Sequence, residues 1–157
     1  MLEKHQQAID VVKRYAWFSA GAGLIPVLYL DGVAVAGVQL KMLAEVSKIY
    51  GVPFQENLGK AAVASLACFI LPHSAAFGAL SQAVPGLSVV GAPLAAAFAG
   101  VYSWATGNIF IQHFESGGTF LNFDAERFKE YFQSQFDTGR KLAPALDRTM
   151  EGVTNNE

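Results

Sequence analysis

The chain has 157 residues, of which 52% are apolar and only 15% charged, with a formal net charge of -2. That balance excludes an intrinsically disordered chain, which needs low hydrophobicity and high charge, and a nucleic-acid binder, which needs a basic surface. A single cysteine, Cys68, excludes an intrachain disulfide framework and a multi-cysteine metal site.

The placement of charge says more than its total. From Ala61 to Phe114, 54 consecutive residues hold no Asp, Glu, Lys or Arg, and from Tyr15 to Leu40 the one charge is Asp31. All 11 Lys and Arg lie outside both stretches. A water-facing helix places a charge on its wet face every turn or two. The uncharged stretches therefore predict cover by lipid or by other protein. The N-terminus is polar through Arg14 and carries no secretory h-region, so any membrane insertion is expected to use retained helices.

In chain order, the first helix is expected over Leu2–Ala22, with Ile9, Val12, Ala16 and Ala20 along one face. An apolar connector with Pro26 follows. The second helix is expected from Asp31, a good N-cap, to Tyr50. Lys41, Glu45 and Lys48 are spaced to pair along one face, with Val35, Val38, Met42, Val46 and Ile49 opposite. Gly51 and Pro53 stop it. The two helices form a hairpin whose charged ends lie together and whose tip is apolar.

A third helix is expected from Asn57 to Val84, interrupted at Pro72, and a fourth from Leu87 to His113 after the Pro85-Gly86 turn. The stretches Ala61–Val84 and Leu87–Phe114 are 24 and 28 residues long, each enough to cross a bilayer once at about 20 residues per span. On the fourth helix Gly91, Ala95, Ala99, Ser103 and Gly107 recur every four residues, beside a row of Ala92, Ala96 and Gly100. Such a small-residue ridge lets helix backbones approach closely and predicts self-association. The segments "AGLIPVLYLDGVAVAG" and "SQAVPGLSVVGAPLAAAFAG" echo each other, as two stacked hairpins would.

The fifth helix is expected to start at the N-cap Asp124. Its aromatic stripe, Phe128, Tyr131, Phe132 and Phe136, predicts docking onto the rest of the domain, or a helix lying at a membrane interface or on a partner. The expected fold is thus all-α: two apolar helical hairpins and a C-terminal amphipathic helix in one domain over residues 1–140, with a polar, frayed tail at 141–157.

Chemistry is harder to find. His5, His73 and His113 lie far apart, with no zinc spacing. No catalytic, cofactor-binding or metal-binding residue stands out, and no enzyme activity or cofactor is expected. Cys68 reads as an inert buried thiol. Asp31 is expected to cap its helix; the alternative is a polar site lining a pore, a role open to His73 as well. Tyr15, Trp17, Tyr50, Phe110 and Phe114 lie near the ends of the apolar stretches and suit an interfacial belt or core packing equally.

The run "GLIPVLYLDGVAVAGVQLKMLAEVSKIYGV", with Ile25-Pro26, Asp31, "QLKML" and "YGV", and the later "GNIFIQHFESGGTFLNFDAERFKEYF" resemble the YcjF-like family of uncharacterised bacterial membrane proteins. The resemblance covers Ala8 to Phe136. It implies a membrane-associated domain of unknown function, in some members beside an Era-type GTPase domain. A GTPase partner is therefore implied, with no nucleotide chemistry of this chain's own. Together these readings predict a non-enzymatic, self-associating structural or adaptor protein of the bacterial inner membrane. Its charged ends would be cytoplasmic by the positive-inside rule, and its partners lipid, further copies of the chain and a GTPase. The alternatives are an oligomeric pore or channel, and a shell or filament subunit that hides its apolar surface in neighbouring copies.

Overall fold

The computed structural model describes residues 1–22, 32–69 and 87–142, with side chains described for 1–20, 37–69, 99–138 and 141. These residues are all-α and contain no strand. The helices are α1 (Leu2–Ala22), α2 (Gly32–Tyr50), α3 (Glu56–Ala67), α4 (Leu87–Glu115) and α5 (Lys129–Leu142). Two 3-10 turns, Phe120–Asn122 and Glu126–Phe128, lie between α4 and α5.

Glycines close two of the helices. Gly51 and Gly117 take positive φ, 71° and 80°, where a Cβ would be strained. At the end of α2, the Gly51 and Val52 N–H groups donate to the Lys48 and Ser47 carbonyls. At the end of α4, Gly117 and Gly118 repeat the pattern on Phe114 and His113. Both are Schellman closures, which satisfy carbonyls the helix leaves without a partner.

The helix α4 is the axis of the molecule. It packs on α1, α5 and α2, while α3 packs on α2 and on the first 3-10 turn. Ser19 and Ser103 bond across α1 and α4, and His5 meets Glu115 nearer the ends, so these two helices run antiparallel. Arg14 pairs with Glu45, and Phe18 shares a cleft with Gly37 and Val38, so α1 and α2 are antiparallel as well. The first expected hairpin is therefore present. The second is not shown: among the described residues α4 has α1, α5 and α2 as its main neighbours, and residues 70–86, with the expected turn, lie outside the described residues.

Two boundaries are corrected. The α3 helix ends at Ala67, before Pro72, and the rest of the expected helix, from residue 70 to Val84, lies outside the described residues. A 3-10 turn comes between Asp124 and α5: Asp124 Oδ1 accepts the Glu126 N–H at 3.1 Å and caps that turn, and the α-helix begins at Lys129.

The expectation that Leu87–Phe114 crosses a bilayer is also corrected. Among the described residues no helix is long and apolar enough to cross a membrane. Residues 105–111 of α4 are buried without a break. Seven residues make nearly two helical turns, so no face of α4 is wet there, and the absence of charge follows from cover by protein. This segment also buries polar groups: Thr106 and Asn108 within it, Ser103 and His113 on either side.

Candidate functional site

Three features concentrate polar or exposed chemistry. The first is a buried polar chain across three helices. Gln39 Nε2 of α2 donates to Ser103 Oγ of α4 at 2.5 Å, and Ser103 donates to Ser19 Oγ of α1 at 2.8 Å. Gln39 is fully buried, and its Oε1 finds no partner among the described residues. A buried amide is costly unless bonded, so this chain holds the three helices in one register. Gln39 and Ser19 carried no sequence signal for it, because their partners lie on other helices, 64 and 84 residues away along the chain.

The second feature is the charged end. Glu115 Oε1 accepts the Tyr50 hydroxyl at 2.9 Å and lies 2.8 Å from His5 Nδ1, tying α4 to α2 and α1. Burial, and secondarily the Glu115 carboxylate, push the Tyr50 phenol well above its ordinary value. Beside it, the Phe110 ring stacks on Phe123 at 4.6 Å, and Phe120 and Phe114 pack edge-on at 5.3 Å. His113 Nε2 donates to the Thr119 carbonyl at 2.9 Å. This aromatic plug closes the end of α4. The signal that could have found it was Thr119-x-x-Asn122, where the Thr119 N–H donates to Asn122 Oδ1 at 2.7 Å and fixes the turn.

The third feature is a cleft of about 430 Å³ between α1 and α2, lined by Arg14, Tyr15, Phe18, Gly37, Val38 and Lys41. Glu45 was expected to pair with Lys41 and Lys48 on its own helix. Instead it accepts from Arg14 Nη2, and from the Tyr15 hydroxyl at 2.5 Å. The interhelical partners reach Glu45 from α1 and tie the two helices together at the surface. Lys41 stands exposed, with no ion pair among the described residues. Just beyond Arg14 on α1, Trp17 is 79% and Phe18 61% exposed.

The residues singled out in the sequence fall into separate places. Asp31 and His73 lie outside the described residues, and the surroundings of Gly91 and Ala95 on α4 are not among the described side-chain contacts. Ser103 and Gly107 face α1 of the same chain: a Cβ on Gly107 would lie 2.4 Å from Val12 Cγ2. Gly100 approaches Ala16 and Ala20 in the same way. On α5, Phe132 is fully buried, Phe136 buried and Tyr131 half-buried, and Phe128, in the preceding 3-10 turn, is half-buried. Phe132 meets Tyr102 at 6.1 Å and Phe69 at 6.3 Å, so the stripe docks into the core. Of the aromatics near the stretch ends, Phe110 and Phe114 are core and Trp17 is exposed.

Cys68 corrects an expectation, since it is exposed. Gly59, Ala62, Val63 and Leu66 form the buried face of α3, and Cys68 continues the outer row of Ala61 and Ala64. Among the described residues, no group of three or more His, Cys, Asp or Glu is placed to hold a metal.

The described residues thus define a small all-α bundle with an axial helix buried on every side over residues 105–111, a polar closed end and an open amphipathic cleft. The family model for DUF697, a domain of unknown function, matches residues 1–141, and the chain belongs to that family. It is 32% identical over 153 residues to Magnetosome membrane protein 22 of Magnetospirillum gryphiswaldense, an alignment that covers 93% of this chain and 77% of that one. No solved structure matches the chain.

Proposed function

We propose that this protein is a non-enzymatic, membrane-associated module that meets the bilayer with the uncharged end of its α1–α2 hairpin and keeps its charged end in water. The carrying observation is the polarity of that hairpin. His5 and Tyr50 bond to Glu115 at the charged end, and Arg14 and Tyr15 bond to Glu45 further along, at the border of the uncharged stretch. Trp17 and Phe18 are exposed where the uncharged stretch begins. Aromatic side chains with one apolar face suit the headgroup boundary. The similarity to a protein named as a magnetosome membrane protein supports the reading.

In this reading the role is structural or adaptor-like at the bacterial inner membrane, with the charged end cytoplasmic. The family resemblance points to a GTPase as partner. Self-association would use surface other than Ser103 and Gly107, which α1 covers.

Vesicle flotation with Trp17 fluorescence tests the membrane contact, using a Trp104→Phe background because the chain has two tryptophans. The expected result is flotation with a blue shift of Trp17 and quenching by brominated acyl chains. Protein that stays at the bottom of the gradient with unchanged emission overturns the reading. Light scattering of the full chain tests self-association, which a monomer at every concentration would exclude.

A further inference from the structure

We infer that the cleft between α1 and α2 seats the phosphate headgroup of an anionic phospholipid, with Arg14 and Lys41 as the cations and Phe18 and Val38 beside the first acyl carbons. The inference rests on the membrane reading above and names the ligand class at its contact point.

Charge is the first argument. Glu45, the carboxylate at the cleft's edge, is already engaged by Arg14 and the Tyr15 hydroxyl. That leaves Lys41 as an exposed ammonium with no ion pair among the described residues. A guanidinium has five N–H donors in a fork, so Arg14 keeps donors free while one nitrogen holds Glu45. A phosphate accepts from such a fork and from an ammonium together.

Space is the second argument. The cleft holds about 430 Å³, and a Cβ built on Gly37 meets nothing within 4 Å. The floor of the cleft is therefore open.

Polarity along the cleft is the third. Arg14 stands at one end, Lys41 one helical turn further along beside Phe18, and beyond them Val38 and the neighbouring Trp17 offer apolar surface. The chain from Tyr15 to Leu40 then carries one charge, Asp31. A soluble phosphate would use the cationic end alone. A phospholipid has both parts in the same order, anionic head and then apolar chain, so it matches both ends of the cleft.

The test is flotation of the full chain with phosphatidylcholine vesicles and with phosphatidylcholine–phosphatidylglycerol vesicles. The wild type is expected to bind the anionic vesicles in excess. Lys41→Gln should cut that excess about five-fold, the worth of one cation at an anionic surface. Gly37→Leu should cut it comparably by filling the cleft with every charge retained; it replaces a helix-interior glycine with a good helix former, and circular dichroism checks that the fold is kept. Lys48→Gln, an exposed charge on the same helix away from the cleft, should change the excess by less than about two-fold.

An equal loss from Lys48→Gln and Lys41→Gln would mean diffuse surface charge and overturn the inference. So would undiminished anionic binding by Gly37→Leu. Equal binding to both vesicles by the wild type overturns the headgroup site and leaves the membrane reading standing. No flotation with either overturns both.

Discussion

Gly107 and Gly37 show opposite uses of the same residue. At Gly107 the absent side chain is what allows α4 to lie against α1, since a Cβ would lie 2.4 Å from one Val12 methyl and 2.6 Å from the other. Two helix backbones would have to separate to admit it. Gly107→Ala is therefore expected to destabilise the fold by about 1–3 kcal/mol, the cost of overpacking a tight core. At Gly37 the Cβ meets nothing within 4 Å, so Gly37→Ala should stabilise by up to about 1 kcal/mol through helix propensity alone. Urea unfolding of the two variants checks both signs. The four-residue spacing announced a close approach on α4; that the approaching helix is α1 of the same chain could not be read from spacing.

Among the elements, α5 was the most legible in pattern and α4 the least. The stripe from Phe128 to Phe136 recurs at helical spacing, and its alternatives were the domain, a membrane or a partner. Burial of Phe132 against Tyr102 and Phe69 decides for the domain. Phe132→Ala should cost about 3–5 kcal/mol, as for a large core aromatic. Protease protection of α5 should fall with it; a variant that unfolds at the wild-type urea midpoint would show that α5 is not docked in solution. The α4 sequence misled because a helix that is apolar all round is either a span or a core axis, and composition is the same for both. Neighbours, which periodicity does not report, separate the two. The pairing of Glu45 failed for a related reason: i,i+4 spacing lists intrahelical partners and is blind to Arg14 on the facing helix.

For the whole molecule, the tyrosines link stability to pH. Burial is the leading cause that raises Tyr15, Tyr50, Tyr102 and Tyr131 above the ordinary phenol value of 10.0. A raised folded value means the fold favours the protonated phenol. The contribution is fully present below pH 10 and is lost as pH rises above it. The urea midpoint should therefore fall on alkaline titration above about pH 10, and phenolate absorbance should appear later in the folded chain than in urea. Coincident phenolate titrations in the two states would refute this linkage.

Helix content, the α1–α2 hairpin and the lack of charge in the middle of the chain were all legible in advance, because periodicity, Gly–Pro stops and composition are local properties of the polypeptide. Which surfaces those uncharged residues face was a matter of packing. The described part of α4 is sheltered by α1, α2 and α5, while Trp17, Phe18 and Lys41 are left outside around an open cleft. Burial depends on partners distant along the chain, and that information exists only once the helices have met.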